Sequence, residues 1–421
     1  MKTNRASLLL SFVLVGWTAI GCQQDVGQRE SHQANEPHFE IRDSGGVRII
    51  QNTGPPEGSR LAWQIGPDPA LSIGAREGEA PYLLNGAVSA TKLPDGRIVV
   101  ADGGSSELRM FDWVGTHVRT WGGEGEGPGE FWWLNHVAAW PGDSIVAWYP
   151  ARGRVSVFGP DGSYGRSFGL WGDCPPACPG AVAARRDGTI LTTYPGEASD
   201  SALLQIRNGD GELLASLEKL PDRDLRFWKG ERGENWSEPV PYGSELAKGL
   251  WGDLIIAGRT SRYEIRAFRA NGALARIVRL EHPLRATTPD DYDRYVESEL
   301  EEYSNFLTRG RPGFPASELE YILSIRRETI EATTMAETFP VFSSFMADAA
   351  DHLWVREYDF PGEARPAPLW TVFDPEGRVL GYVETPPGLR IFEIGADYIL
   401  GRARDELGVE SVQVWPLERS G

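Results

Sequence analysis

The segment Trp132-Trp133-Leu134-Asn135-His136 gathers more recognition-type side chains than any other short run of this 421-residue chain. Adjacent indoles present broad apolar faces with a polar edge, the chemistry that stacks on a sugar ring or clamps a peptide. Asn135 and His136 add an oxygen and a ring nitrogen, and Asn85 holds a comparable place ahead of an earlier apolar run. Asn85 and Asn135 either cap turns or supply oxygens to a calcium site, which hard-cation chemistry would allow. The chain has six histidines, at positions 32, 38, 117, 136, 282 and 352. Only His136 opens a candidate inner strand, so a three-histidine zinc centre is not expected. Cys174 and Cys178 sit in WGDCPPACPG. A CxxxC pair without a matching His or Cys cluster is a poor zinc signature and reads as a small disulfide-closed loop in an oxidising compartment. The glycine-rich GGEGEGPGEF (122–131) lacks a GK[ST] ending and carries three glutamates, so it reads as a structural turn and not a phosphate loop. No nucleophile elbow, HExxH, kinase or dinucleotide motif is present. No catalytic residue, metal ligand or cofactor is assigned, and Ca²⁺ is the ion that the oxygen-bearing residues would suit.

The elements that would position these residues follow a two-beat turn rhythm. Asp95-Gly96, Gly142-Asp143, Asp187-Gly188, Gly252-Asp253, Asp351 and Gly395-Ala396-Asp397 each precede a short apolar run. A second turn follows about twenty residues later, at Gly115, Gly162, Gly211, Gly272 and Gly377. Self-similarity on a period of roughly 40–50 residues with two tight turns per unit marks four-stranded propeller blades. The expected fold is all-β: a six-bladed β-propeller of four-stranded antiparallel blades, with the innermost strand of blade 4 near Ser244–Lys248. The sixth unit shows only three strands, and an unpaired edge invites aggregation. An N-terminal strand is therefore expected to close the ring: 61–65 directly, with 47–51 packed beside it. Trp113, Trp121, Trp148 and Trp354 are expected to wedge neighbouring blades.

Residues 285–338 break the rhythm. Thr288-Pro289-Asp290-Asp291 is a helix start, and Tyr292, Val296, Leu300, Tyr303 and Leu307 follow at three- and four-residue steps. Ser317 is expected to cap a second helix. The pair reads as a helical hairpin between blades 4 and 5, either a lid over the channel or a buttress on its side.

The N-terminus reads as an export signal over 1–21, with Lys2 and Arg5 ahead of the apolar run Leu8–Val15, followed by a polar tether over 22–37 and a propeller over 38–418. Ala19-Ile20-Gly21-Cys22 resembles a bacterial lipobox, which implies acylation of Cys22; Gln23 then favours the outer membrane in a Gram-negative cell. The chain carries a net charge of −18, and loss of Lys2 and Arg5 with the leader makes it −20. So acidic a surface repels nucleic acid and anionic lipid, leaving the acyl chain as the membrane attachment.

GGEGEGPGEF, ETFPVFSSFMAD (337–348), HLWVREY, FDPEGRVLGYVE and IGADYILGRARDELGVESVQVWPL resemble segments of bacterial six-bladed propeller lipoproteins, related in architecture to NHL-repeat propellers. The resemblance covers about residues 40–418. It implies fold and export but no activity. Two functions are carried forward. One is a lipid-anchored binding or scaffold protein whose partner is an envelope protein, peptide or glycan. The other is a lactonase- or lyase-like enzyme with Ca²⁺ or Zn²⁺ on the propeller axis.

Overall fold

Turn chemistry sets the blades. Asp374 Oδ1 accepts from Glu376 N at 3.0 Å and Arg378 N at 2.8 Å, while Gly377, at φ +93°, donates its N–H to Asp374 O at 2.9 Å. A left-handed residue at the fourth position gives the hairpin its bulge, and glycine takes it without strain. Asp112 to Gly115, Asn208 to Gly211 and Asp405 to Gly408 repeat this arrangement.

The structure, a computed structural model, describes residues 39–55, 59–149, 153–170, 179–195, 200–229, 235–309, 311, 313–363 and 365–419. Cys22, Cys174, Cys178 and the leader and tether lie outside these residues. The fold is a six-bladed propeller of antiparallel four-stranded sheets. The blades' innermost strands are Ala87–Lys92, His136–Trp140, Gly180–Ala184, Leu246–Trp251, Phe342–Ala347 and Arg390–Ile394. The innermost strand of blade 4 thus starts within the expected Ser244–Lys248 stretch and runs on to Trp251. Every innermost strand starts on one face, where the linkers between blades run (the linker face), and ends at a tight turn on the other (the turn face).

A separate apolar cluster fills each gap between blades. Leu108 and Val137 meet between blades 1 and 2, Trp148 and Ile190 between 2 and 3, Leu204 and Phe268 between 3 and 4. Tyr263 and Phe342 meet between 4 and 5, Trp354 and Ile399 between 5 and 6, and Phe111 and Val412 between 6 and 1. Trp121, Trp148 and Trp354 are wedges as expected, whereas Trp113 is 72% exposed on a turn and wedges nothing.

The ring closes through a belt rather than a single strand. Val47–Asn52 pairs parallel with the outer strand of blade 4, Leu274–Leu280, and Phe39–Ser44 folds back onto it. The chain then reaches blade 5, where Leu61 N donates to Tyr382 O at 2.9 Å and Tyr382 N to Ser59 O at 3.0 Å. It completes blade 6 with Leu71–Ile73, which pairs with the middle of Glu410–Glu418, while Gln64–Ile65 reaches only that strand's last two residues. Two expectations are corrected here. Closure by 61–65 holds only at its end, where Gln64–Ile65 pairs with Leu417–Glu418, and 71–73 supplies the pairing at mid-strand; 47–51 lies two blades away, beside blade 4. VRII and LAWQI share one alternation, so their pattern names a face but not a partner.

Helix α1 (Pro289–Thr308) begins with a reciprocal capping box: Asp291 N donates to Thr288 Oγ1 at 3.3 Å and Thr288 N to Asp291 Oδ2 at 2.9 Å. Helix α2 (Ala316–Glu331) starts after Pro315 without a side-chain cap, so Ser317 already lies inside it. Arg326 ties the helices together and to a hairpin absent from the sequence reading, Leu225–Lys229 with Asn235–Pro239, through Glu299 at 3.0 Å and Glu238 at 2.6 Å. Tyr242 O–H donates to Asp291 O at 2.7 Å. These bonds brace the insert, which lies in the linker leaving blade 4, against the linker that enters it.

Candidate functional site

The linker between blades 1 and 2 builds a small aromatic cleft on the linker face. Its backbone is pinned internally: Phe131 N donates to Gly123 O at 2.9 Å and Gly127 N to Glu130 Oε2 at 2.9 Å. Arg154 then clamps it from blade 2, donating to Glu126 O at 2.9 Å and Gly127 O at 2.8 Å. Phe131 and Leu134 point into the gap between blades and are buried, which forces the intervening Trp132 and Trp133 outward, 48% and 53% exposed. The indoles stand nearly perpendicular, 6.2 Å apart between centroids, and Tyr149 lies 5.5 Å from Trp133. With Glu126, Glu130 and Ser156, they line a cleft of about 260 Å³. Such a space admits one or two rings of a ligand. Aromatic faces pack on apolar surface while carboxylates accept hydroxyl or amine protons.

His136 follows directly and opens the innermost strand of blade 2, as its place in the sequence suggests. Its ring stacks on Trp148, with centroids 5.1 Å apart and 16° between the planes. Burial, helped by the positive charge of Arg390 on blade 6, lowers its pKa to about 4, so the imidazole is neutral at pH 7. Because the unfolded chain binds a proton near pH 6.5 and the folded one does not, stability falls as pH drops from about 6.5 towards 4. The expected contribution is roughly 3 kcal/mol across that window. Guanidinium unfolding of His136→Gln should show a flatter pH dependence than wild type; parallel curves would contradict a neutral buried ring.

The two asparagines are held mainly through their backbones. Asn85 N donates to Asp102 Oδ2 at 2.9 Å, its carbonyl accepts from Gly104 N at 2.8 Å, and its side chain covers Gly104, where a Cβ would fall 2.5 Å from Nδ2. Asn135 N donates to Trp148 O at 3.3 Å. The remaining described histidines are dispersed. His117 Nε2 lies 2.8 Å from Thr120, His352 Nδ1 3.1 Å from Asp348, and His282 Nε2 3.2 Å from Glu357. The hydrogen bond to Glu357 raises the His282 pKa. Among the described residues, no three His, Cys, Asp or Glu side chains converge as a metal site would need.

A second feature, on the turn face, has no local signature in the sequence. The ends of all six innermost strands enclose a bowl of about 620 Å³ around the axis. Alanines at 138, 139, 184, 347, 349 and 396 leave the room, and the charged and polar groups come from Lys92 and Thr91 of blade 1, Arg185 and Arg186 of blade 3, Asp348 and Asp351 of blade 5, and Glu393, Asp397 and Tyr398 of blade 6. These residues are scattered over some three hundred positions, so only the ring brings them together.

No protein-family model and no curated protein matches the chain. Several solved structures are similar in fold. A Bacteroides fragilis protein described as exported is 12% identical, with a TM-score of 0.49, over 89% of this chain and 100% of its own. A DUF4221-family member from Bacteroides vulgatus is 8% identical, with a TM-score of 0.44, over 85% and 99%. A Xanthomonas campestris gluconolactonase is 12% identical, with a TM-score of 0.39, over 84% and 100%. None of these likenesses carries a residue role to this chain.

Proposed function

We propose that the protein is an exported, lipid-anchored propeller that binds an envelope partner, a glycan or peptide, through the Trp132–Trp133 cleft. The observation behind this reading is the pairing of two half-exposed indoles with Tyr149 on a linker already fixed by buried residues and by Arg154. Preorganised aromatics lose little entropy on binding, so their apolar area converts efficiently into affinity. A glycan suits the cleft best: pyranose C–H faces would pack on the indoles while Glu126 and Glu130 accept hydroxyl bonds. The leader and Cys22 support export and acylation, which would hold this surface beside envelope material.

Two measurements test the reading in cells. Cys22→Ser should move the protein from the membrane fraction to the soluble fraction, and unchanged membrane retention would defeat the anchor. Cross-linking in intact envelopes should join wild type to a discrete partner that Trp132→Ala/Trp133→Ala no longer captures. Equal capture by both would place recognition elsewhere.

A further inference from the structure

The turn-face bowl is lined by two cations, Lys92 and Arg186, neither of which has a carboxylate partner among the described residues. Arg186, on the first turn of blade 3, donates from Nη2 to the backbone carbonyl of Lys92 on blade 1 at 3.3 Å. Those blades are not neighbours, so the contact spans the mouth of the channel. Lys92 Nζ lies 4.1 Å above the ring of Tyr398, a cation–π contact in place of an ion pair. The adjacent carboxylate is already engaged: Glu393 accepts from Thr91 Oγ1 at 2.7 Å, from Lys92 N at 3.4 Å and from the Tyr398 hydroxyl. Burial and the Glu393 charge push the Tyr398 phenol far above its usual range, so it stays a donor to that carboxylate. Among the described residues, neither Lys92 nor Arg186 has a carboxylate oxygen within 4 Å. Arg97, Arg185, Arg259 and Arg266, by contrast, each have one.

Two cations in a concave, partly apolar space raise the local anion concentration even on an acidic protein. We propose that the bowl binds the oxyanion head of a small phosphate- or carboxylate-bearing molecule, held between Lys92 and Arg186. Arg186 supplies the planar fork that matches an oxyanion, and Lys92 supplies a compact charge. Asp348, Asp351 and Asp397 also line the bowl, on the side of blades 5 and 6, with Asp348 engaged by Arg419 at 2.9 Å and His352 at 3.1 Å. Their charge disfavours a polyanion and offers acceptors to hydroxyl groups on the ligand body. The preferred ligand is therefore a singly headed, hydroxylated acid or phosphate ester. Its site lies on the opposite face from the tryptophan cleft and stands independently of it.

Glycerate and glycerol 3-phosphate share a hydroxylated body and differ in the head group, so isothermal titration of the mature protein with each, at low ionic strength, separates the two sources. Saturable binding of at least one is expected. Lys92→Met and Arg186→Gln should each weaken it about tenfold to a hundredfold, the usual loss for a charged hydrogen bond. Lys92→Arg should retain it within a few-fold. If Lys92→Met fails to fold, Arg186→Gln, altered on an exposed turn, decides alone. No saturable binding by either probe, or binding unchanged in Arg186→Gln, overturns the proposal.

Discussion

Asn52→Ala is expected to destabilise the whole propeller by roughly 3–5 kcal/mol, although the side chain is remote from both cavities. Asn52 is fully buried at the seam where the belt crosses from blade 4 to blade 5. Its amide donates to Arg279 O at 2.9 Å and Gly377 O at 3.0 Å, and its oxygen accepts from Val379 N at 2.9 Å. Truncation removes all three bonds and leaves the buried Gly377 O and the part-buried Val379 N without this partner, and each unmade bond of that kind costs about 1–3 kcal/mol. The seam has little capacity to relax: a Cβ on Gly377 would fall 2.6 Å from Val278 Cγ2. Guanidinium unfolding should show the loss as one earlier transition seen by both fluorescence and circular dichroism. A change below about 1 kcal/mol would mean that the belt is incidental to closure.

The belt matters because it touches three of the six gaps between blades. Ile50 belongs to the cluster between blades 4 and 5, Leu61 and Trp63 pack into the one between 5 and 6, and Ile73 is buried between 6 and 1. A single borrowed strand would protect one edge. This arrangement instead uses one stretch of chain to couple half of the ring, which spreads closure over many side chains.

What could be read from the sequence was what is local. Gly115, Gly211 and Gly377 marked blade hairpins in the sequence because such turns are local: Asp112, Asn208 and Asp374, three residues earlier, pin them through their own side-chain and backbone bonds. Thr288 and Asp291 satisfy each other and were legible for the same reason. Partner choice was not. Val47–Asn52 carries the alternation of any edge strand, and only the reach of the chain puts it beside blade 4. The hairpin at 225–239 was missed because apolar Phe227 and Trp236 are about half exposed, which blurs the alternation that marks a strand. The tryptophan cleft was visible as a run of neighbouring residues. The bowl was not, since alanines, a lysine and an arginine from separate blades acquire meaning only at the axis.

The second large effect is on recognition. Trp132 and Trp133 are each about half exposed, so their joint replacement by alanine should leave the unfolding midpoint nearly unchanged. Central aromatic anchors commonly contribute 2–4 kcal/mol each to binding, so the loss of affinity should reach at least about a hundredfold. The most direct measurement is titration of purified mature wild type and Trp132→Ala/Trp133→Ala with a panel of neutral oligosaccharides and short peptides. The account predicts saturable binding of at least one panel member by wild type, abolished in a variant that melts at the same temperature. Equal affinity in the two proteins, or no binding by wild type across the panel, would contradict it.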